Sequence, residues 1–469
     1  MTRPSPIRLS RHAAATACWR DLDGAHVVSS AYGNWTWLSS AELREWLEGR
    51  VSPHSALHQR LSSGNLLRAE LNASALIEQL RERRSFLRTG PSHHWIALTR
   101  RAQKPSPIWT SPDEPGTDMP IETLERVLDT AFMTTSPLIE ITLGGGEPFL
   151  APELIQHAIA YARRKNAISR KAMTLVVETP LHRPEQSWAD LVIEEQLLVR
   201  TSPAGHRPEA PAENLSTHWI RNVQTRLLEQ GADMRDAGIE MNLMPDAAQA
   251  IQGEAALIPW LEAGIRSFHV QPLRALDDHL HVSAPTAPTA EEHAAFHAGV
   301  IDRLARGPEN AFERCAATLL ARIRRGHEPQ RPLLRNPSAS GTGTLAYGCD
   351  GEVYTCRDGF LSGLLGENGF ELGSVHVDGY HDLVGHPTVR AMLMATSLEG
   401  QPGWSNHPYM QLCGMDPVEN LWRQGSLHGR MIDAPQAGIQ IAVLDHLFRQ
   451  SRLADPILEA TFDAWSDRP

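Results

Sequence analysis

Three groups of residues in this chain have side chains suited to chemistry: five cysteines, a glycine-rich turn that ends in a carboxylate, and a few histidine and acidic neighbours. Cys18, Cys315, Cys349, Cys356 and Cys413 are too few for a disulfide framework and no two of them form a CxxC pair. Reduced thiols are the expectation. Mixed Cys and His ligands suit zinc, so Cys349, Cys356, Cys413 and His407 form a weak candidate set. Their irregular spacing argues against it, and no bound metal is the expectation.

The run Leu143-Gly144-Gly145-Gly146-Glu147-Pro148 places glycines where a chain or a ligand must come close to the backbone. As a bare motif it is a strand-to-helix turn with Pro early in the helix. Glu147, and Glu178 further on, read as turn and strand-end residues rather than proton carriers. His93 and His94 are adjacent, so a strand would point them to opposite faces and they are not a ligand pair. His279 and His281, with Asp277 and Asp278, read as solvated loop residues. No nucleophile elbow, Walker A loop or HExxH helix occurs.

The elements that must position these residues alternate. Trp95 to Thr99 reads as a strand and Ile121 to Phe132 as a helix. Leu138 to Leu143, Ala172 to Val177, Gln196 to Thr201, Ile239 to Met244 and Ser267 to Val270 continue the strands. Helix patterns over Pro152 to Arg164, Thr217 to Leu228, Ala247 to Leu261 and Ala290 to Arg306 lie among them. Gly238 and Gly264 stand where glycine ends a helix before a strand. This is the βα signature of a parallel sheet, and six strands fit an open barrel. Gly145 to Pro148 then falls at the end of the second strand, where barrel active sites are built.

Around that core, residues 1–90 read as a small N-terminal module, with helix patterns at Ala41 to Leu47 and Ala73 to Leu80. The barrel is assigned to 91–325 and a second domain to 326–469. In the latter, Asp350-Gly351 between Leu345-Ala346-Tyr347 and Val353-Tyr354 predicts a two-residue hairpin, and Ile439 to Phe448 a final helix. Ser202 to Pro211 and Ser283 to Pro288 are Pro-rich loops.

A chain of 469 residues with 41% hydrophobic and 21% charged residues is long enough for two or three such domains. The net charge of −11 excludes a nucleic-acid surface as the main activity. Met1 to Arg20 has no proper apolar signal region and no span is predicted, so the expectation is a cytoplasmic protein without a membrane partner.

Several stretches together carry a family resemblance. Phe86-Leu87-Arg88-Thr89-Gly90, the strand His94 to Thr99, Asp118-Met119 and the Gly-Gly-Glu-Pro turn Gly145, Gly146, Glu147 and Pro148 come in that order. Gly341 to Asp358, Phe370 to Val375 and Cys413 to Val418 follow. From about Trp35 to Phe448 the chain resembles the His-Xaa-Ser system radical S-adenosylmethionine (SAM) maturases of the B type. Members modify a small peptide carrying His-Xaa-Ser units. The resemblance implies an α/β fold: a partial (β/α)6 radical SAM-type barrel with a small N-terminal module and a C-terminal SPASM-like domain.

The family uses SAM and 4Fe-4S clusters, one of them held by a CxxxCxxC loop after the first strand. Counted from Thr99, those cysteine positions are Ala102, Ser106 and Trp109, and no cysteine occurs between Cys18 and Cys315. Other landmarks are eroded too. Arg200-Thr201-Ser202 and Gly205 match a turn whose acidic residue is replaced by Ala204, and Val270-Gln271-Pro272-Leu273 has Gln271 where the family tends to have Arg. In the SPASM-like part, Trp404 and His407 take cysteine positions, another falls near Ala437, and Cys356 and Cys413 remain.

The resemblance therefore implies a degenerate maturase homologue without the cluster, acting as a peptide-binding or accessory subunit beside an active radical SAM maturase. Its partners would be a precursor peptide, that maturase, or both. The Gly145 to Pro148 turn is a vestigial SAM contact on this reading, with residual SAM binding as the open point. The alternative is an enzyme that still uses SAM or a metal to modify peptides.

Overall fold

A computed structural model describes residues 18–104, 106–182, 184–202, 215–232, 237–277, 286–326 and 334–467. Asp278, His279, His281, Ala204 and Gly205 lie outside the described residues. Among the described residues no helix is long and apolar enough to cross a membrane.

The N-terminal part begins with β1 (Cys18–Leu22), β2 (Ala25–Ser29) and β3 (Trp35–Ser39), an antiparallel sheet in that order. Asp23 and Gly24 both have positive φ, 57° and 78°, which is the two-residue turn that an Asp-Gly pair favours. The helix patterns appear as Ser40–Leu47, with a Ser39/Glu42 capping box, and Ala73–Arg83. This sheet docks on the far end of the chain. Trp35 and Trp37 meet Phe448 edge-on, and Arg20 donates twice to Asp445 at 2.6 Å.

The core is one ten-stranded sheet. β4 (His93–Thr99), β5 (Leu138–Gly145), β6 (Ala172–Thr179), β7 (Leu198–Thr201), β8 (Gly238–Leu243) and β9 (Ser267–Val270) pair in chain order, all parallel. The alternation of strand and helix dictates this, because a parallel pair needs a crossover. Helix Ile121–Phe132 shows why the helices stay on the sheet. Leu124, Val127, Leu128 and Ala131 fall on one face and are fully buried. Each such large apolar side chain contributes about 1.5–3 kcal/mol.

The parallel run extends past the six predicted strands at both edges. β10 (Phe312–Glu313) adds beside β9, and β11 (Thr344–Tyr347) pairs parallel to β4. β12 (Glu352–Tyr354) and β13 (Glu371–Ser374) then complete the sheet antiparallel. The barrel thus stays open, and the C-terminal part is continuous with it through β11.

Some local expectations change. The β11–β12 connection is not a two-residue turn: Gly348 donates to the Glu352 carbonyl at 2.8 Å and Gly348–Gly351 form a four-residue loop. The predicted helix Ala247 to Leu261 breaks at Gly253, whose φ is +59°, into Ala247–Gln252, a 3-10 segment Gly253–Leu257 and Ile258–Glu262. The final predicted helix runs Pro435–Arg452, and a further helix Pro456–Ser466 follows it.

Candidate functional site

Alternation along the parallel strands sends apolar side chains toward the helices and several polar ones inward. On β5, Ile139, Ile141 and Leu143 join the helix-packed core, whereas Glu140 and Thr142 line a cavity of about 800 Å³. Neighbouring strands bring Glu178, Arg200, Glu240, Asn242 and His269 to the same cavity. Register makes this a charged layer, since Glu178, Arg200 and Glu240 are direct partners across β6, β7 and β8. Arg200 lies 3.3 Å from both Glu140 and Glu240, and Arg314 lies 2.6 Å from Glu240. The three carboxylates hold the Arg200 guanidinium firmly in its charged form although burial opposes it.

The C-terminal part closes one side of the cavity. Arg357 pairs with Glu178 at 2.8 Å, and Arg274 pairs with Asp277 at 3.1 Å and with Asp358. Nearby, burial with Asp358 and Glu419 close by pushes Asp416 up to about 6. Apolar walls come from Trp95, Trp109, Leu361, Leu412 and Ile439.

The Gly145–Pro148 turn stands at the end of β5 as predicted, and the structure gives its glycines a reason. A Cβ on Gly144 would meet the Trp95 indole at 2.8 Å, one on Gly145 the Thr99 carbonyl at 2.2 Å, and one on Gly146 the Arg101 carbonyl at 2.3 Å. Gly145 also has φ +120°. Gly146 and Glu147 donate their N–H groups to Thr99 and Arg101 carbonyls at 3.0 and 2.8 Å. The turn is therefore laced to the loop after β4. Glu147 is fully buried and accepts from Thr179 Oγ1 at 2.8 Å and from the Phe149 N–H at 3.2 Å. Burial pushes its carboxyl up to about 7.

That loop is where a cluster would sit in the resembled family. Ala102 is 5% exposed, and its N–H donates to the Thr110 carbonyl at 3.0 Å. Ser106 donates its N–H to the Trp109 carbonyl at 3.0 Å, closing a tight turn. Ile108 and Trp109 belong to an apolar cluster with Trp95, Tyr354 and Phe360. One thiol reaches this region, Cys349, which donates to the Ala97 carbonyl at 3.2 Å. The donor set does not fit a 4Fe-4S cluster, which needs several soft thiolates.

The weak metal candidates have separate surroundings. Cys356 accepts the Gly359 N–H at 3.4 Å and caps helix Arg357–Leu364, with burial pushing its thiol up to about 12. His407 packs at a tilt against Trp404, ring centroids 4.6 Å apart, and burial lowers it to about 4. Cys413 is fully buried in the main core. His94 is buried as well, bonded to Tyr347 Oη at 2.9 Å and to the Pro91 carbonyl at 3.2 Å, while His93 lies 3.9 Å from Glu140.

Among the described residues one group of three such donors does converge: His297, Glu313 and Cys315. The sequence signal for it is His293 and His297, four apart on the apolar stripe of helix Ala290–Arg306. Glu313 and Cys315 come from an adjoining strand and helix, whose position no spacing reveals.

No family model and no curated relative matches the chain. Solved structures do. Native anSMEcpe with bound AdoMet and Kp18Cys peptide aligns with a TM-score of 0.61 at 13% identity, over 80% of this chain and 99% of that one. A polyhistidine-tagged anSMEcpe with bound AdoMet gives 0.60 at 13%, over 80% and 98%. Streptococcus suis SuiB bound to precursor peptide SuiA gives 0.51 at 11%, over 89% and 98%. At these identities the likeness is one of fold: a mixed α/β structure matching radical SAM-like barrel proteins with a C-terminal extension.

Proposed function

We propose that the chain is a peptide-binding, degenerate radical SAM maturase homologue, working in the modification of a precursor peptide without a cluster of its own. The observation that carries this is the loop after β4. Where three thiolates would stand, Ala102 is buried, Ser106 makes a turn, and Trp109 packs into an apolar cluster. Without that cluster no electron reaches SAM for reductive cleavage.

The cavity supports the binding half of the proposal. It joins apolar walls to fixed charges, the mixture by which a concave site orients a ligand. At about 800 Å³ it accepts a short peptide segment. The related folds of anSMEcpe and SuiB were solved with peptides bound. A His-Xaa-Ser type peptide, and an active maturase as partner, are the finer reading.

Anaerobic reconstitution with iron and sulfide tests it, with absorbance, iron content and SAM titration on one sample and peptide binding by fluorescence anisotropy on another. Protein that stays free of iron, ignores SAM and retains the peptide supports the accessory role. Stoichiometric iron with SAM bound overturns it in favour of an enzyme. Loss of peptide and maturase binding together overturns the binding role.

A further inference from the structure

Where β9 meets β10, three donor atoms of different chemistry come together. His297 nitrogen, a Glu313 carboxylate oxygen and Cys315 Sγ lie within 4.8 Å of one another. His297 and Cys315 line the cavity, and His297 and Glu313 are 2% and 0% exposed. Glu313 is held in place from two sides, accepting the Val270 N–H at 3.0 Å and the Ala316 N–H at 2.6 Å.

A second observation at the same place points to a ligand. His293, one helical turn before His297 and 6.3 Å from it between ring centroids, lines the same cavity and is 1% exposed. Neither of its ring nitrogens has a hydrogen-bond partner. Burying an imidazole without partners costs desolvation and recovers nothing. A plain ion pair between His297 and Glu313, 3.1 Å apart, explains neither that nor the nearby thiol.

We propose that His297, Glu313 and Cys315 bind a divalent cation of the zinc class, with His293 beside an open coordination position on the cavity. One imidazole, one carboxylate and one thiolate are the donor mix that zinc takes and that magnesium or calcium does not. The Cys315 thiol loses its proton to solvent on binding, and the two resulting negative ligands neutralise the cation in a buried place. Zinc holds its donors roughly 3.5 Å apart. The donors lie within 4.8 Å of one another, with His297 and Glu313 already 3.1 Å apart, so closing on the ion takes at most roughly an ångström of movement. This site does not depend on the peptide-binding reading.

The full-length protein, purified without chelators, is analysed for zinc and then titrated as apoprotein with Co²⁺. The expected result is stoichiometric metal and a thiolate-to-cobalt charge-transfer band. The near-isosteric Cys315→Ser abolishes that band and His297→Ala abolishes binding. His293→Ala keeps the band with an affinity lower by about 10- to 100-fold. Circular dichroism checks each fold. If a variant unfolds, protection of Cys315 in the wild type from alkylation by added zinc decides. Wild-type protein that takes up no stoichiometric metal overturns the proposal, as does a band unchanged in Cys315→Ser.

Discussion

Arg101 holds Asp118 through two parallel hydrogen bonds of 2.8 and 2.7 Å, closing the base of the loop that follows β4. The same guanidinium donates to the Leu150 carbonyl at 2.8 Å, so it ties this loop to the turn after β5. Asp118 also accepts from Thr99 Oγ1 at 2.5 Å. The pair is part-exposed, which discounts its worth. Arg101→Ala is expected to destabilise the protein by about 1–2 kcal/mol and to expose the loop to limited proteolysis. An unchanged urea midpoint and an unchanged digestion pattern would show that the loop is held by other contacts.

Gly145→Ala is expected to cost more. The new Cβ would stand 2.2 Å from the Thr99 carbonyl in a backbone of φ +120°, so β5 and the loop after β4 must separate. A loss of about 3 kcal/mol or more follows. Thermal unfolding measures it, and a variant of wild-type stability would mean that the turn moves away from Thr99 at little cost.

Glu147 predicts a pH dependence with a definite sign. Its folded value of about 7 lies above the ordinary 4.5, so the folded state binds the proton more tightly. The stability contributed by this group is complete below pH 4.5 and is lost as pH rises through 7. Glu147→Gln, which cannot ionise, is expected to gain on the wild type as pH rises, by at most about 3 kcal/mol. Urea unfolding from pH 5 to 9 reads the difference. A constant difference over that range contradicts the raised value.

Arg200 is the shared cation of Glu140, Glu178 and Glu240. Arg200→Leu keeps bulk but removes the charge, and is expected to cost about 3–5 kcal/mol at neutral pH. The loss shrinks on acidification, because a carboxylate that loses part of its positive surroundings takes up a proton more readily, although Glu240 and Glu178 keep Arg314 and Arg357. An equal loss at both ends of the pH range would assign Arg200 a packing role only.

Much of the fold is legible in the sequence because it follows from local periodicity. Ile121–Phe132, Ser267–Val270 and Ala290–Arg306 have the boundaries that their apolar spacing predicts. The six parallel strands and the place of Gly145–Pro148 at the end of the second follow from the βα alternation. The absence of thiolates at Ala102, Ser106 and Trp109 is read from residue identity alone. Other features escape it for local reasons: β1 lies in the N-terminal module where no strand is predicted, and Gly253 breaks a helix whose apolar pattern runs straight through it.

Tertiary structure alone decided which distant residues meet. β11 pairs with β4 although β5 to β10 all lie between them in the chain, and Arg357, beyond β12, reaches back to Glu178 on β6. The polar interior exists only once parallel register sets Glu178, Arg200 and Glu240 side by side. His297, Glu313 and Cys315 converge because β10 adds to the edge of β9 and packs against helix Ala290–Arg306, with Cys315 near the start of the helix that follows β10. Periodicity records which face of an element is buried, whereas side-chain convergence depends on strand order and register, which are set by packing over the whole sheet.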